Sequence, residues 1–140
     1  MPTLAEFSAA LTAAFEGLRL RAYRDSGGVL TIGIGHTGPD VVEGMTITMD
    51  QATALFAEDQ AHLISMVIGR PLLEAAALLD FGFNCGPGEL AKVLAGNDTV
   101  ENPVHTTDRH GNVLAGLVTR RRVESLLITI GRLVDGGSNG

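Results

Sequence analysis

The sequence predicts an α+β fold that is mainly helical, with one small β-hairpin near the N-terminus. Three observations support this prediction. Apolar residues recur at helical spacing over most of the chain, one short stretch alternates with a period of two, and turn residues follow that stretch at once. The 140 residues suffice for one domain or two small lobes, and a hydrophobic content of 45% suffices for a core.

The composition excludes several function classes. A net charge of −6 opposes nucleic-acid binding, which needs an excess of Lys and Arg. No apolar run is long enough to span a bilayer, so we expect no membrane insertion. The first fifteen residues lack a basic region and contain Glu6, which predicts no secretory signal and folding in the cytoplasm. The single cysteine, Cys85, lies in an apolar run and is expected to be a small buried residue. We expect a monomer.

The first helix begins with a capping box formed by Thr3 and Glu6, and it ends at Glu16-Gly17. Its predicted apolar stripe consists of Leu4, Phe7, Leu11, Phe15 and Leu18.

A half-buried strand is predicted from Leu18 to Arg24, because apolar and polar residues alternate there. Asp25-Ser26-Gly27-Gly28 has turn chemistry, and Val29 to Gly35 returns as the second strand. We expect a third short strand near Val41 and Val42.

The remainder of the chain is predicted to be helical. A second capping box, Thr48 with Gln51, starts a long helix that runs to about Ile68, before the break at Gly69-Arg70-Pro71. Leu72 to Phe83 is apolar on nearly every face and is predicted to be the central helix of a lobe. A short helix is expected over 89–94, an unstructured loop over 97–113 and a flexible tail over 135–140. The last helix is predicted over 118–134, with these residues inward: Val123, Leu126, Leu127, Ile130, Leu133 and Val134.

The predicted organisation has two lobes in one domain. A hairpin lobe covers about 15–47, and a helical lobe combines about 1–14 with 70–134. The helix over 49–68 links them.

Glu16, Asp25 and Thr31 form the constellation that points to chemistry. Eight residues separate Glu16 from Asp25, and five separate Asp25 from Thr31. Glycoside cleavage needs one carboxyl group that is protonated and one that is ionised. Glu16 suits the first role at the negative end of a helix dipole, and Asp25 suits the second in a solvated turn with Arg19, Arg21 and Arg24 nearby. A Thr31 hydroxyl able to hold water favours inversion. From spacing alone, solvated cap and turn residues are the commoner explanation.

Three sequence stretches carry a family resemblance. EGLRLRAYRDSGGVLTIGIGHTG resembles the phage-type lysozymes, which are muramidase endolysins of glycoside hydrolase family 24. LLDFGFNCGPG is similar to the central-helix motif of that family, and GLVTRRRVESLL is similar to its Arg-rich C-terminal helix. The resemblance covers most of residues 3 to 134. It implies a lysozyme-like fold in which Glu16 is the general acid and Asp25 and Thr31 complete a catalytic triad.

The function implied by this resemblance is hydrolysis of the β-1,4 bond between N-acetylmuramic acid and N-acetylglucosamine in bacterial peptidoglycan. A phage endolysin of this kind reaches the cell wall from the host cytoplasm through a holin-type membrane lesion. Two alternatives are a lytic transglycosylase and an inactive lysozyme-like module that binds glycan. The segment after the central motif is shorter than is usual in the family, which motivates the binding module.

The resemblance also implies supporting residues. Thr37 and Phe83 fall on cleft positions that touch the glycan, and His36 is expected to be a buried hydrogen-bonding residue that orients the hairpin. The family uses one arginine of the last helix to pair with the catalytic glutamate. The sequence does not decide among Arg120, Arg121 and Arg122, which point in different directions on a helix, and we take Arg121 as the supporting residue.

No metal or cofactor is expected. His105, Asp108 and His110 are possible ligands by type, but they lie in a polar stretch without a fourth ligand at suitable spacing.

Overall fold

The structure is a computed structural model that describes residues 1–138, with side chains described through residue 135. It confirms the predicted α+β, mainly helical fold. Two compact units are present, Met1–Ile64 and Ser65–Gly140. The elements in chain order are α1 (Leu4–Glu16), β1 (Arg19–Arg24), β2 (Leu30–Gly33), β3 (His36–Thr37), α2 (Met49–Asp59), α3 (Ala61–Val67), α4 (Leu72–Cys85), α5 (Pro87–Leu94), a 3-10 helix (Pro103–Thr106) and α6 (Ala115–Ser138).

Helix α1 starts at the predicted capping box. The Thr3 hydroxyl accepts a hydrogen bond from the Glu6 amide at 3.1 Å, and the Glu6 carboxylate accepts one from the Thr3 amide at 3.2 Å. The five predicted stripe residues are half-buried, while the fully buried positions of α1 are Ser8, Ala9 and Thr12. In the first unit α1 packs on α2. The assignment of residues 1–14 to the helical lobe stays a prediction.

The sheet is antiparallel in the order β1-β2-β3. The prediction of a third strand near Val41 and Val42 is wrong, because β3 follows β2 after a turn of two residues, Ile34 and Gly35. Gly33 and Gly35 have φ values of +65° and +72°, which favour glycine, and they let the chain reverse at once. Val41 is buried all the same.

Strand β1 is more exposed than predicted. Its alternation is interrupted by an irregularity between Arg19 and Tyr23, and Leu20 is 38% exposed. Residues 45–47, which follow the sheet, cover the edge of β1 that faces away from β2. The Ala22 amide donates to the Met45 carbonyl, and the Ile47 amide donates to the Leu20 carbonyl.

The single long helix predicted from Met49 to about Ile68 is two helices, α2 and α3. Its capping box at Thr48 and Gln51 is present. The interruption lies at Gln60, whose φ of −100° and ψ of 16° leave the helical range. No glycine or proline lies at this position, so no residue type signals the break. A linking role for this region stays a prediction.

Helix α4 forms the centre of the second unit, as the sequence predicts. It packs against α5 and α6, and its buried apolar residues are Ala75, Ala76, Ala77, Leu78, Leu79 and Phe81. The approach of α6 is close, because a Cβ added at Gly131 would lie 2.8 Å from the Glu74 amide nitrogen.

Helix α6 buries a different face from the predicted one. Leu126, Leu133 and Val134 are 59%, 69% and 65% exposed, so their inward placement is wrong. The buried residues of this helix are Arg120, Arg121, Glu124, Ile128 and Gly131. The physical reason is a buried carboxylate on α4, that of Asp80, which pairs with Arg120 and draws that face of α6 inward. The helix also continues to Ser138, where a tail was predicted, and residues 139–140 lie outside the described residues.

The segment over 97–113 is structured, contrary to the prediction. It contains the 3-10 helix and a bridge between Thr107 and Val113. Between those two residues, the Asp108 carboxylate accepts hydrogen bonds from the His110 and Asn112 amides at 2.8 and 3.0 Å.

Candidate active site

Asp25 follows β1 directly and opens the hairpin turn. Its Oδ1 accepts two backbone hydrogen bonds, from the Gly27 and Val29 amides, both at 2.9 Å. Within residues 1–138, its Oδ2 has no hydrogen-bond partner, and the residue is exposed. One carboxylate oxygen is therefore fixed by the turn, and the other is open to accept a proton or a water hydrogen.

Thr31 lies on β2, directly opposite Tyr23 on β1 and Thr37 on β3. The residue is only 3% exposed. Its hydroxyl donates to the Val29 carbonyl at 2.9 Å, so its oxygen retains lone pairs that can accept a hydrogen bond from water. The same carbonyl accepts from the Asp25 amide at 3.0 Å. The peptide groups of Val29 thus connect Asp25 and Thr31.

Glu16 is the last residue of α1 and is exposed. Gly17 ends the helix with a φ of +89°, and its amide donates to the Ala13 carbonyl at 2.8 Å. No basic side chain lies in the last turn of this helix. Only Gly17 and Leu18 separate Glu16 from β1, so the three predicted catalytic residues lie at the end of α1, in the turn after β1 and on β2, all within the first unit.

The three arginines of β1 do not hold the Asp25 carboxylate. Arg24 donates to the Glu43 carboxylate at 3.1 and 2.8 Å and to the Gly28 carbonyl at 2.9 Å. The Arg19 guanidinium lies 4.5 Å from the centre of the Tyr23 ring. Within the described residues, the Arg21 side chain has no hydrogen-bond or ion-pair partner, while its backbone lies in a bridge with Thr46. The contacts that fix Asp25 are therefore to backbone amides.

His36 ties β3 to α2 and to the loop that follows the sheet. Its Nδ1 lies 2.7 Å from Asp59 Oδ2, its Nε2 lies 2.8 Å from Asp40 Oδ2, and its side chain is only 11% exposed. Burial acts to lower the pKa of His36, but the hydrogen bonds and charges of Asp40 and Asp59 outweigh it and raise the pKa. The expected hydrogen bonding of His36 is present, and its orienting role stays a prediction. Thr37, next to it, is exposed.

The Arg-rich helix contributes two buried arginines. Arg120 forms a two-pronged pair with Asp80 of α4, at 2.9 and 2.8 Å. Arg121 donates to Glu124 at 3.0 Å and to the Cys85 sulfur at 2.6 Å, and its guanidinium lies 5.1 Å from the centre of the Phe81 ring. Arg122 is exposed. A role for Arg121 toward Glu16 stays a prediction.

Asp80 and Glu124, the two acidic residues that contact these arginines, were not identified from the sequence. Burial raises the pKa of Glu124 to about 10, and a hydrogen bond that the protonated Glu124 donates to Asp80 acts in the same direction, while Arg121 and Arg120 oppose the shift. Glu124 is therefore protonated at neutral pH. The available signal was Asp80 itself, an acidic residue inside the apolar run LLDFGF.

Two further predicted residues have surroundings that the structure describes. Phe83 is half-buried on α4, and its contact with glycan stays a prediction. Cys85 is half-buried rather than fully buried. Burial raises the pKa of its thiol, although the nearby Arg121 acts to lower it.

One group of side chains has the composition of a metal site. Glu89, Asp98 and His105 offer ligand atoms that all lie within 4.8 Å of one another. Their present partners are protein groups, because His105 Nε2 lies 2.8 Å from Asp98 Oδ2 and Lys92 donates to Glu89 at 3.0 Å. Of the ligand candidates considered from the sequence, His105 belongs to this group, whereas Asp108 and His110 belong to a separate turn.

Among residues 1–138, none of the helices has both the length and the apolar character needed to cross a membrane.

Comparison with known proteins gives consistent matches. The family model described as phage lysozyme matches residues 13–124. The SAR-endolysin of bacteriophage PS119 is 32% identical over 78% of this chain and 73% of that protein. A crystal structure of a mutant P22 lysozyme superposes with a TM-score of 0.72 at 28% identity, covering 92% of this chain and 99% of that one. The muramidase domain of SpmX from Asticaccaulis excentricus gives a TM-score of 0.66 at 27% identity, covering 91% and 98%.

Proposed function

The chain belongs to the phage lysozyme family, and from that premise we propose that it hydrolyses the β-1,4 bond between N-acetylmuramic acid and N-acetylglucosamine in bacterial peptidoglycan. The observation that carries the proposal is the hydrogen-bonded link from Asp25 through Val29 to Thr31. It fixes the Asp25 carboxylate in the hairpin turn and the Thr31 hydroxyl on β2, and each keeps an acceptor for water. The similarity to a muramidase domain supports the choice of bond.

In the proposed reaction, Glu16 donates its proton to the glycosidic oxygen as the bond to the sugar carbon breaks. A water molecule held by Asp25 Oδ2 and the Thr31 hydroxyl attacks that carbon from the opposite face. Asp25 accepts the proton that the water loses. The product sugar has the inverted anomeric configuration. Asp25 then releases its proton to solvent and Glu16 takes one up, and both residues are exposed.

Two features support the division of roles between the carboxyl groups. Two amide donors fix Asp25 Oδ1 and leave Oδ2 to act as the base. Glu16 is exposed at the end of α1, where it can exchange a proton with solvent. His36 orients β3, which pairs with the strand that carries Thr31, and so acts as a positioning residue.

We further propose that the protein acts as a monomer on peptidoglycan, without inserting into the membrane and without a nucleic-acid partner. Its place of action in this proposal is the cell wall, reached from the host cytoplasm during lysis.

A turbidity assay on purified cell walls tests the function. We expect clearing by the wild type and a loss of about 10²- to 10⁴-fold in rate for Glu16→Gln, which removes the proton donor while keeping the shape. Glu58→Gln is the matched control, because Glu58 is an exposed acid on α2 of the same unit.

Product analysis separates this proposal from its alternatives. Hydrolysis with inversion predicts an α-anomer at early times by NMR, whereas an anhydro-sugar product identifies a lytic transglycosylase. Folded wild type that binds cell walls but does not clear them identifies a glycan-binding module. Clearing by Glu16→Gln at the wild-type rate excludes the proposed role of this residue.

A further inference from the structure

The hairpin turn that carries Asp25 is contacted from outside by the side chain that precedes it. Arg24 is the last residue of β1, and its Nη1 donates to the Gly28 carbonyl at 2.9 Å. Its Nε and Nη2 donate to one oxygen of the Glu43 carboxylate at 3.1 and 2.8 Å. One planar guanidinium therefore bridges the far end of the turn and the segment that follows the sheet. We call this arrangement of Arg24, Glu43 and the Gly28 carbonyl the turn brace.

The contact between Arg24 and Glu43 orients more than it stabilises. Their side chains are 57% and 70% exposed, and an exposed ion pair contributes little to the free energy of unfolding. The pair does restrict the guanidinium, because two of its nitrogens are directed at one carboxylate oxygen. Glu43 thus sets the direction from which Arg24 reaches the Gly28 carbonyl.

Gly28 is the residue at which this turn most needs support. Its φ of +80° lies in the region that favours glycine, and glycine loses more conformational freedom on folding than any other residue. The amides on either side of it, those of Gly27 and Val29, are the two that donate to Asp25 Oδ1. A rotation of the backbone at Gly28 would therefore separate these two donors from the carboxylate.

We propose that Arg24, oriented by Glu43, is a positioning residue for Asp25. Its hydrogen bond to the Gly28 carbonyl holds the turn in the conformation that fixes Asp25 Oδ1 and leaves Oδ2 open. Arg24 acts through backbone atoms and does not contact the carboxylate. This inference rests on the proposed function, because that function gives Asp25 its role as the base.

Steady-state kinetics on solubilised peptidoglycan test the effect on the reaction. For Arg24→Gln we expect kcat to fall about three- to tenfold with KM unchanged, because the base is displaced while no proposed glycan contact is removed. Arg24→Lys should recover part of this loss, since an ammonium can donate to one of the two acceptors but lacks the planar fork that spans both.

Glu43→Ala tests the second half of the turn brace. It should lower kcat less than Arg24→Gln does, because the hydrogen bond to the Gly28 carbonyl remains. The double variant should lose no more than Arg24→Gln alone, since Glu43 acts only through Arg24.

Arg21→Gln is the matched control. Arg21 lies on the same strand with the same charge, but its side chain has no hydrogen-bond or ion-pair partner in the part of the chain that the structure describes. Wild-type kcat in this variant, with a loss in Arg24→Gln, assigns the effect to the turn brace rather than to the removal of charge.

Backbone NMR tests the turn independently of activity. In Arg24→Gln we expect the amide signals of Gly27 and Val29 to shift and their fast motion, measured by amide relaxation, to increase. Both amides should keep their wild-type signals in Arg21→Gln.

Several results overturn the inference. An equal kcat loss in Arg21→Gln, a rise in KM at wild-type kcat in Arg24→Gln, or unaltered Gly27 and Val29 amides in that variant each contradict a positioning role. Shifted amides with wild-type kcat contradict it as well, because the turn then moves without consequence for the reaction. If the folded wild type does not cleave peptidoglycan, the proposed function itself fails. Cleavage by wild type and by Arg24→Gln at the same kcat contradicts the positioning role alone.

Discussion

In the first unit, the Asp25 carboxylate lies at the surface and is held by two backbone amides at 2.9 Å, whereas in the second unit the Asp80 carboxylate is fully buried and is held by the Arg120 guanidinium. The surface carboxylate keeps one oxygen open to solvent. A buried acid instead depends on a specific charged partner, because desolvation is costly without one. Asp25 is therefore expected to serve the reaction and Asp80 the stability of the fold. Variants at the first site should change activity, and variants at the second should change the free energy of unfolding.

The largest effect is expected from Arg120→Ala. This change removes the two-pronged partner of a fully buried carboxylate, so we expect the free energy of unfolding to fall by about 3–5 kcal/mol. Urea denaturation monitored by circular dichroism measures the change.

Arg24→Ala is the matched control for that experiment. Its pair with Glu43 has the same 2.8 Å separation as the pair between Arg120 and Asp80, but both of its side chains are mostly exposed, so we expect a loss of about 1 kcal/mol or less. Similar losses for the two variants would remove the distinction between the units.

A smaller loss is expected from Gly131→Ala. The new methyl group would lie 2.8 Å from the Glu74 backbone, so α6 must move away from α4, at a cost of about 1–3 kcal/mol. Gly116→Ala lies on the same helix with no atom within 4 Å of the new methyl group, and it should stabilise by up to about 1 kcal/mol. Thermal denaturation of both variants gives the sign of each change, and a gain for Gly131→Ala contradicts the close packing.

Glu124→Gln should alter the dependence of stability on pH. The pKa of Glu124 is raised from 4.5 to about 10, so the folded state retains a proton that the unfolded state releases above about 4.5. Its contribution to stability is full below pH 4.5 and falls as the pH rises toward 10. Glutamine has no proton to lose, and the variant should show a flatter decline in Tm between pH 5 and 9. Parallel curves for the variant and wild type exclude a protonated Glu124, and Glu58→Gln serves as the exposed control.

The smallest effect is expected at His36. Its raised pKa means that its contribution is fully present below the ordinary value of 6.5 and is lost as the pH rises through the folded value. The pKa of Asp40 is lowered, chiefly by its hydrogen bond to His36, so its contribution is present above the ordinary 3.8 and is lost as the pH falls. The interaction between His36 and Asp40 therefore stabilises the fold most between pH 3.8 and pH 6.5.

His36→Gln should remove the part of the Tm decline that begins above pH 6.5. His110→Gln, at an exposed position of the second unit, should leave that decline in place. A wild-type pH profile in His36→Gln shows that the two carboxylates do not act through this ring.

Local patterns in the sequence predicted the fold well where local chemistry determines it. The capping boxes at Thr3 and Thr48, the hairpin turn at Asp25 and the apolar helix α4 are all present. Each depends on residues that are close in sequence, so spacing is sufficient evidence.

Features that depend on distant partners were missed. The inward face of α6 depends on Asp80, which lies 40 residues before Arg120. The break at Gln60 has no glycine or proline to mark it. At the candidate site, the family motif located Glu16, Asp25 and Thr31, but it gave no sign of the role of Val29. That role belongs to backbone atoms, and their hydrogen bonds follow from the turn conformation rather than from residue type.

Because position 29 contributes only main-chain atoms to Asp25 and Thr31, its side chain is under little chemical constraint. Val29 is 48% exposed, so many replacements can change the surface there without removing a donor or an acceptor. Proline is the exception, since it has no N–H to give to Asp25. A substitution survey confined to side chains would therefore score this position as tolerant, although its peptide groups connect two residues of the proposed machinery.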